Sequence, residues 1–269
     1  MTATHGGRAR TWLARLRRAW MITGGTAGAI FMIWSVLAYR ATSEAYEALE
    51  STPAVEVSAH DGYWRFQARH RASAGLLFFP GALVDPVAYA PLLRAVAERG
   101  YSAVLVQVPR RGAFGGAESE ELVHRYTRAW RETGEGGDTM RWVLAGHSRG
   151  GVISSNVARS QSHRVAGLVL IGTSHPRDFS LAHLNVPVTQ IYGTRDTVAD
   201  RDKVIGARRN LPASLETVEI DGGNHSQFGA YGFQPGDWPA TISREEQRRR
   251  TVEAIVALLA RVTSSAARP

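Results

Sequence analysis

The chain has 269 residues and no cysteine, so it is long enough for one full α/β core but has neither a disulfide framework nor a thiolate metal site. Its formal charge of +8 comes almost wholly from arginine, Lys203 being the single lysine. Beyond the N-terminus the arginines sit beside glutamates, as in Arg244-Glu245-Glu246, and no basic run interleaves aromatics, which argues against a nucleic-acid partner.

Residues 1–18 are basic, with Arg8, Arg10, Arg15, Arg17 and Arg18 crowded together. Residues 19–39 then carry no charge over a length that suits the ~30 Å hydrocarbon core of a bilayer, with Trp20, Trp34 and Tyr39 at the ends. The segment reads as an uncleaved transmembrane anchor with a cytoplasmic N-terminus and the rest of the chain on the outer face. The competing reading is a signal peptide cut near Val36-Leu37-Ala38, with secretion of the remainder; against it stands an apolar stretch longer than the usual h-region. Residues 40–52 read as a polar helical linker or stalk, and 53–263 as one domain followed by a tail, 264–269.

Within the domain, Val55–His60 and Tyr63–Arg69 flank Asp61-Gly62, a strong hairpin signal. Leu76–Phe79 is a strand, and Asp85-Pro86 in its loop reads as an N-cap followed by a first-turn proline. Helix Pro91–Arg99 stops at Gly100, strand Ala103–Val108 is unbroken apolar, and helix Glu118–Glu132 leads into a loop over Gly134–Gly137. Further strands are read at Met140–Ala145, Val165–Ile171, Val188–Tyr192 and Leu215–Ile220, and Glu245–Arg261 closes as an amphipathic helix. Strands alternating with helices predict an α/β fold: a mostly parallel sheet with helices on both faces. Only about fifteen residues separate the strands at 165–171 and 188–192, so little or no lid is expected.

Gly146-His147-Ser148-Arg149-Gly150 fits the G-x-S-x-G elbow, in which a strand turns sharply into a helix and holds a serine at the apex, and here it lies between a strand and a helix. Its bland alternative is a tight turn with an exposed serine. Ser148 is the candidate nucleophile. A serine hydroxyl needs a base to take its proton and a third group to orient that base. Asp196 follows a strand end, where open sheets place their sites, and His225 lies on the glycine-rich loop 221–226 after the next strand. Among the alternatives, Asp200 and Asp202 read as the cap and first turn of a helix, and Asp221 lies close to the histidine in sequence. His147 reads as structural or as a pocket wall. His175 and His183 fall between nucleophile and acid, which breaks the chain order, and His60, His70, His124 and His163 read as surface residues. An oxyanion hole needs two backbone N–H donors, for which Arg149 and Ala82 are the candidates, with Leu83 as fallback. Phe114, His175, Phe228, Tyr231, Phe233 and Trp238 sit on loops near the expected cleft, where ordinary loop packing is an equal reading. No metal cluster, P-loop or dinucleotide fingerprint is present, so neither a metal nor a cofactor is expected.

The segments 79–89, 146–151, 192–196 and 222–229 together resemble the α/β-hydrolase superfamily, and within it the alpha/beta hydrolase family 5 and dienelactone-hydrolase-like group, over roughly residues 53–263. The resemblance implies Ser148, Asp196 and His225 as a catalytic triad. The chain departs from many superfamily members in having Pro80-Gly81 where they carry His-Gly. The leading functional expectation is a membrane-anchored serine hydrolase of small carboxylic esters or lactones acting through an acyl-enzyme. An acyltransferase or peptidase on the same triad, or a non-catalytic binding module of this fold, are the alternatives.

Overall fold

The computed structural model describes residues 5–70, 73–133 and 140–266. The loop expected over Gly134–Gly137 and the last residues of the tail lie outside them. Two units are distinguished, residues 1–38 and 39–269.

The first unit is helix α1 (His5–Ala38). Large apolar side chains are exposed along it, among them Trp20, Ile22, Ile30, Phe31 and Ile33. Among the described residues no helix is long and apolar enough to cross a membrane. The side chains at 35 and 36 lie outside the described residues.

In the second unit, eight strands form one sheet: β1 (Val55–His60), β2 (Tyr63–Ala68), β3 (Ala74–Phe79), β4 (Ala103–Val106), β5 (Arg141–His147), β6 (Val165–Ile171), β7 (Val188–Gly193) and β8 (Leu215–Ile220). Their spatial order is β1-β2-β4-β3-β5-β6-β7-β8. Only β2 runs antiparallel to its neighbours, β1 and β4; β4-β3-β5-β6-β7-β8 pair in parallel. Two-residue periodicity divides each central strand between two cores. Leu76 and Phe78 of β3, Leu105 of β4 and Val143 of β5 join helices α3 (Ala90–Glu98) and α7 (Arg244–Ala266) on one face. Leu77, Phe79, Val104 and Leu144 face α4 (Glu120–Thr133) and α5 (Arg149–Ser160) on the other. Both faces being covered explains why these strands read as unbroken apolar runs.

Helix α7 runs past the expected Arg261 because Val262 is fully buried and carries the apolar stripe one turn further. The expected stalk is instead part of the packed unit. Its short helix α2 (Ser43–Glu47) buries Ala45, Thr42 N–H donates to Ala230 O at 2.9 Å, and Arg94 Nε donates to Ala48 O at 3.0 Å. Small alanines spaced among polar residues let this helix lie close to the domain, a signal that polarity alone hides. Residues 172–187, between β6 and β7, contain no helix, as expected for an uncapped cleft. The remaining helix, α6 (Arg201–Gly206), follows β7 and is capped by Asp200, whose carboxylate accepts the N–H groups of Asp202 and Lys203.

Candidate active site

Strand β5 ends in the elbow, and Ser148 stands between it and α5 with φ 53° and ψ −117°. A positive φ at a residue bearing a Cβ stores roughly 1–3 kcal/mol, held here by the surrounding packing. Ser148 N–H donates to Ile171 O at 2.9 Å, tying the apex to the end of β6. The flanking glycines are forced by close approach: a Cβ on Gly146 would lie 2.1 Å from Gly150 O, and one on Gly150 would lie 1.9 Å from Phe79 O.

Asp196 follows β7 and is 4% exposed. Its Oδ1 accepts the N–H groups of Val198 (3.0 Å) and Ala199 (2.7 Å), and its Oδ2 meets His225 Nδ1 at 2.8 Å. One carboxylate oxygen is thereby fixed by the backbone while the other orients the imidazole. The histidine's loop is clamped from two sides. Asp237 accepts the N–H groups of His225 (3.2 Å) and Ser226 (2.8 Å), and Gln247 of α7 accepts Asn224 N–H (3.0 Å) while donating to Asn224 O (2.7 Å). Burial pushes the Asp237 carboxyl up, and its two backbone hydrogen bonds oppose that rise. Ser148 and His225 line one cavity of about 200 Å³ together with Arg149, Val152, His175 and Arg177. Among the described residues no hydrogen bond joins Ser148 directly to His225; they share the cavity wall.

The other acids lie elsewhere. Asp221 is exposed and accepts the Thr194 hydroxyl at 3.1 Å, and Asp200 caps α6. Asp85 caps its turn through Val87 N–H at 3.1 Å. Of the six loop residues near the expected cleft, only His175 lines the serine's cavity; Phe228 and Tyr231 are buried core, and Phe114, Phe233 and Trp238 are exposed. A larger cavity of about 660 Å³ opens at the N-terminal ends of β5 and β6, the end of a parallel sheet opposite to the serine.

The loop after β3 lies against the serine, since a Cβ on Gly81 would stand 3.6 Å from Ser148 Cβ. Leu83 N–H donates to Arg111 O at 2.7 Å and Gly81 N–H to Tyr89 Oη at 3.1 Å. Both flanks are committed, which removes Leu83 as fallback donor and leaves the N–H of Ala82. The N–H of Arg149, first residue of α5, is one of the donors that a helix start leaves unpaired.

Tyr89 and His147, the latter read in the sequence as structural or as a pocket wall, complete this arrangement. Tyr89, fully buried, accepts from Gly81 and sits 2.8 Å from His147 Nδ1, so its own proton goes to that nitrogen and the His147 proton lies on Nε2. The His147 ring packs 4.3 Å from the His225 ring, and its Nε2 is buried with no partner among the described residues. Burial first, and the neighbouring His225 second, hold His147 well below the ordinary histidine range, so it is neutral. Tyr89→Phe is expected to strip Gly81 N–H and His147 Nδ1 of their partner, lowering kcat about tenfold at nearly constant KM and stability by about 1–3 kcal/mol. Steady-state kinetics beside a thermal melt check this.

A pH effect on stability follows from His147. Its proton affinity is lower folded than unfolded, so below about pH 6.5 the unfolded chain takes up a proton that the native state refuses. The contribution is intact above that pH and is lost as pH falls, by about 1.4 kcal/mol at one pH unit below the unfolded value. Urea unfolding of wild type and His147→Asn across this window should give a shallower pH dependence in the variant.

The alpha/beta hydrolase family model matches residues 75–249. A putative non-heme haloperoxidase of Mycobacterium phage D29 is 31% identical over 114 residues, 41% of each chain, so this chain spans about two fifths of the length of the curated relative it matches. Among solved structures, dienelactone hydrolase from Anabaena variabilis superposes with a TM-score of 0.57 at 15% identity, covering 77% of this chain and 99% of that one. The esterase domain of a Rhodothermus marinus protein gives 0.54 at 13% identity, covering 76% and 96%. At such identities the structural likeness carries the fold, and the sequence match carries the family. The chain belongs to the alpha/beta hydrolase family.

Proposed function

We propose that this hydrolase is a serine hydrolase of carboxylic esters or lactones that works through an acyl-enzyme. The observation that carries the reading is the buried Asp196–His225 pair at 2.8 Å in the wall of the cavity that holds the strained Ser148. In this mechanism His225 Nε2 takes the Ser148 proton as Oγ attacks the acyl carbon. Asp196 holds Nδ1–H and stabilises the imidazolium that forms. The N–H groups of Ala82 and Arg149 receive the negative charge that develops on the carbonyl oxygen. The alcohol leaves with the proton from His225, and water, activated by the same histidine, releases the acid. The esterase and dienelactone hydrolase with this fold support an acyl-transfer chemistry. An acyltransferase or peptidase would share every step up to the acyl-enzyme and differ in the attacking group or the leaving group.

Labelling with a fluorophosphonate probe, followed by turnover of p-nitrophenyl esters of graded chain length, tests the proposal. One equivalent of label on Ser148 and measurable turnover of at least the short esters are expected. An unlabelled protein inert toward the whole series would overturn it.

A further inference from the structure

The cavity that holds Ser148 and His225 adjoins a second one of about 260 Å³, lined by Arg177, Lys203, Arg209, Asn210 and Ser174 among others. Ser174 and Arg177 form the wall common to both. Among the described residues no aspartate or glutamate lines either cavity, although Arg149, His175, Arg177, Lys203 and Arg209 do. Elsewhere on this unit arginines reach carboxylates, as Arg201 does to Glu219 at 3.1 Å and Arg249 to Glu246 at 2.8 Å. Arg149 is itself paired with Glu118. Among the described residues Arg177, Lys203 and Arg209 are in no ion pair. Arg177 is nonetheless held in place, since its Nε donates to Ser174 Oγ at 3.1 Å.

The half-buried His175 senses the same surroundings. Its pKa is lowered chiefly by burial, with Arg177 and Arg149 adding to the effect and Asp178 opposing it. A cleft lined by one sign of charge with apolar walls focuses its field and concentrates ligands of the opposite sign. A guanidinium offers two parallel donors to a carboxylate or phosphate, which makes Arg177 the natural central contact.

We propose that the two adjoining cavities bind an anionic group of the substrate, so that the preferred substrates are esters or lactones bearing a negative charge near the scissile bond. Arg177 is the central contact, with Lys203 and Arg209 further from the serine. The assignment rests on the hydrolase reading above and names the substrate class for it.

The test uses the full chain at low salt with two substrate pairs. p-Nitrophenyl hemiglutarate against p-nitrophenyl valerate places the anion on the acyl side; 4-acetoxybenzoate against phenyl acetate places it on the alcohol side. For one pair the anionic member is expected to have a kcat/KM at least about tenfold higher, with the difference shrinking in about 0.5 M salt, where exposed charges are screened. Which pair responds assigns the side. Arg177→Gln should cut that preference about tenfold, read as the ratio within the pair so that a partly damaged fold cancels. If Arg177→Gln does not fold, Lys203→Gln with Arg209→Gln, both at exposed positions, should lower the same ratio about threefold. Equal rates within both pairs, or a preference unchanged by these substitutions, would overturn the proposal. Loss of all four activities in the wild type together with an unlabelled Ser148 would overturn the hydrolase reading instead, and the anionic site with it.

Discussion

Ser148→Ala is expected to lower kcat/KM for a p-nitrophenyl ester by about four orders of magnitude or more and to abolish fluorophosphonate labelling. The reason is chemical rather than structural. Removing Oγ leaves no atom to form the proposed acyl-enzyme, whereas the proposed oxyanion donors are backbone groups that survive the substitution. Among the described residues the Ser148 hydroxyl makes no hydrogen bond, so its loss strands no partner. Alanine meets the same positive φ as serine, so the elbow keeps its strain and its glycine packing. The melting temperature should therefore move by no more than about 2 °C. A variant retaining a tenth or more of wild-type turnover would mean that another group is the nucleophile.

The second large effect is expected at the buried pair. His225→Ala removes the proposed base and should fall about as far as Ser148→Ala, because members of a triad act as a unit. Asp196→Asn is subtler. Its amide oxygen can still accept the N–H groups of Val198 and Ala199, but the position facing His225 Nδ1 becomes an NH₂ donor in place of an acceptor. The imidazole is then driven to the tautomer with its proton on Nε2, where it cannot receive the serine's. A loss of about three to four orders of magnitude in kcat is expected, with an intact fold. Asp221→Asn serves as the comparison: that side chain is exposed and engages Thr194, so turnover should stay within about twofold. The reverse ranking of the two variants would identify Asp221 as the acid.

Some of this molecule is legible without coordinates. The parallel strands announce themselves as short apolar runs because both faces of the sheet are covered, as Leu76 and Leu77 illustrate by facing opposite cores. The elbow is legible for a related reason. Only glycine fits where Gly146 and Gly150 approach each other and Phe79 O, so the steric demand is written into five consecutive residues. The Asp61-Gly62 turn and the Asp85 and Asp200 caps belong to the same class, since a cap or a two-residue turn is satisfied within a few positions of itself.

Other readings failed where the deciding quantity was not local. Polarity suggested a free stalk at 40–52, whereas Ala45 and Ala48 dock it onto the domain. The sequence placed Ala82 first as oxyanion donor and kept Leu83 as fallback. Only the approach of Arg111 O, from a loop nearly thirty residues away, commits one N–H and leaves the other.

The sequence by itself determined the sheet, the elbow and the chain order of serine, acid and histidine, because periodicity, turn sterics and capping act over a few residues. Tertiary structure shows how the acid favoured by the sequence meets the histidine: Asp196 is buried against His225 Nδ1, whereas Asp221 is exposed beside Thr194. It likewise decided that Tyr89 and His147 support the loop at Gly81, that Asp237 and Gln247 clamp the histidine, and that Arg177, Lys203 and Arg209 share a wall without counter-charge. Hydrogen bonds of a few ångströms between residues up to 58 positions apart leave no period and no motif. They exist only once the sheet has brought its loops together at one edge.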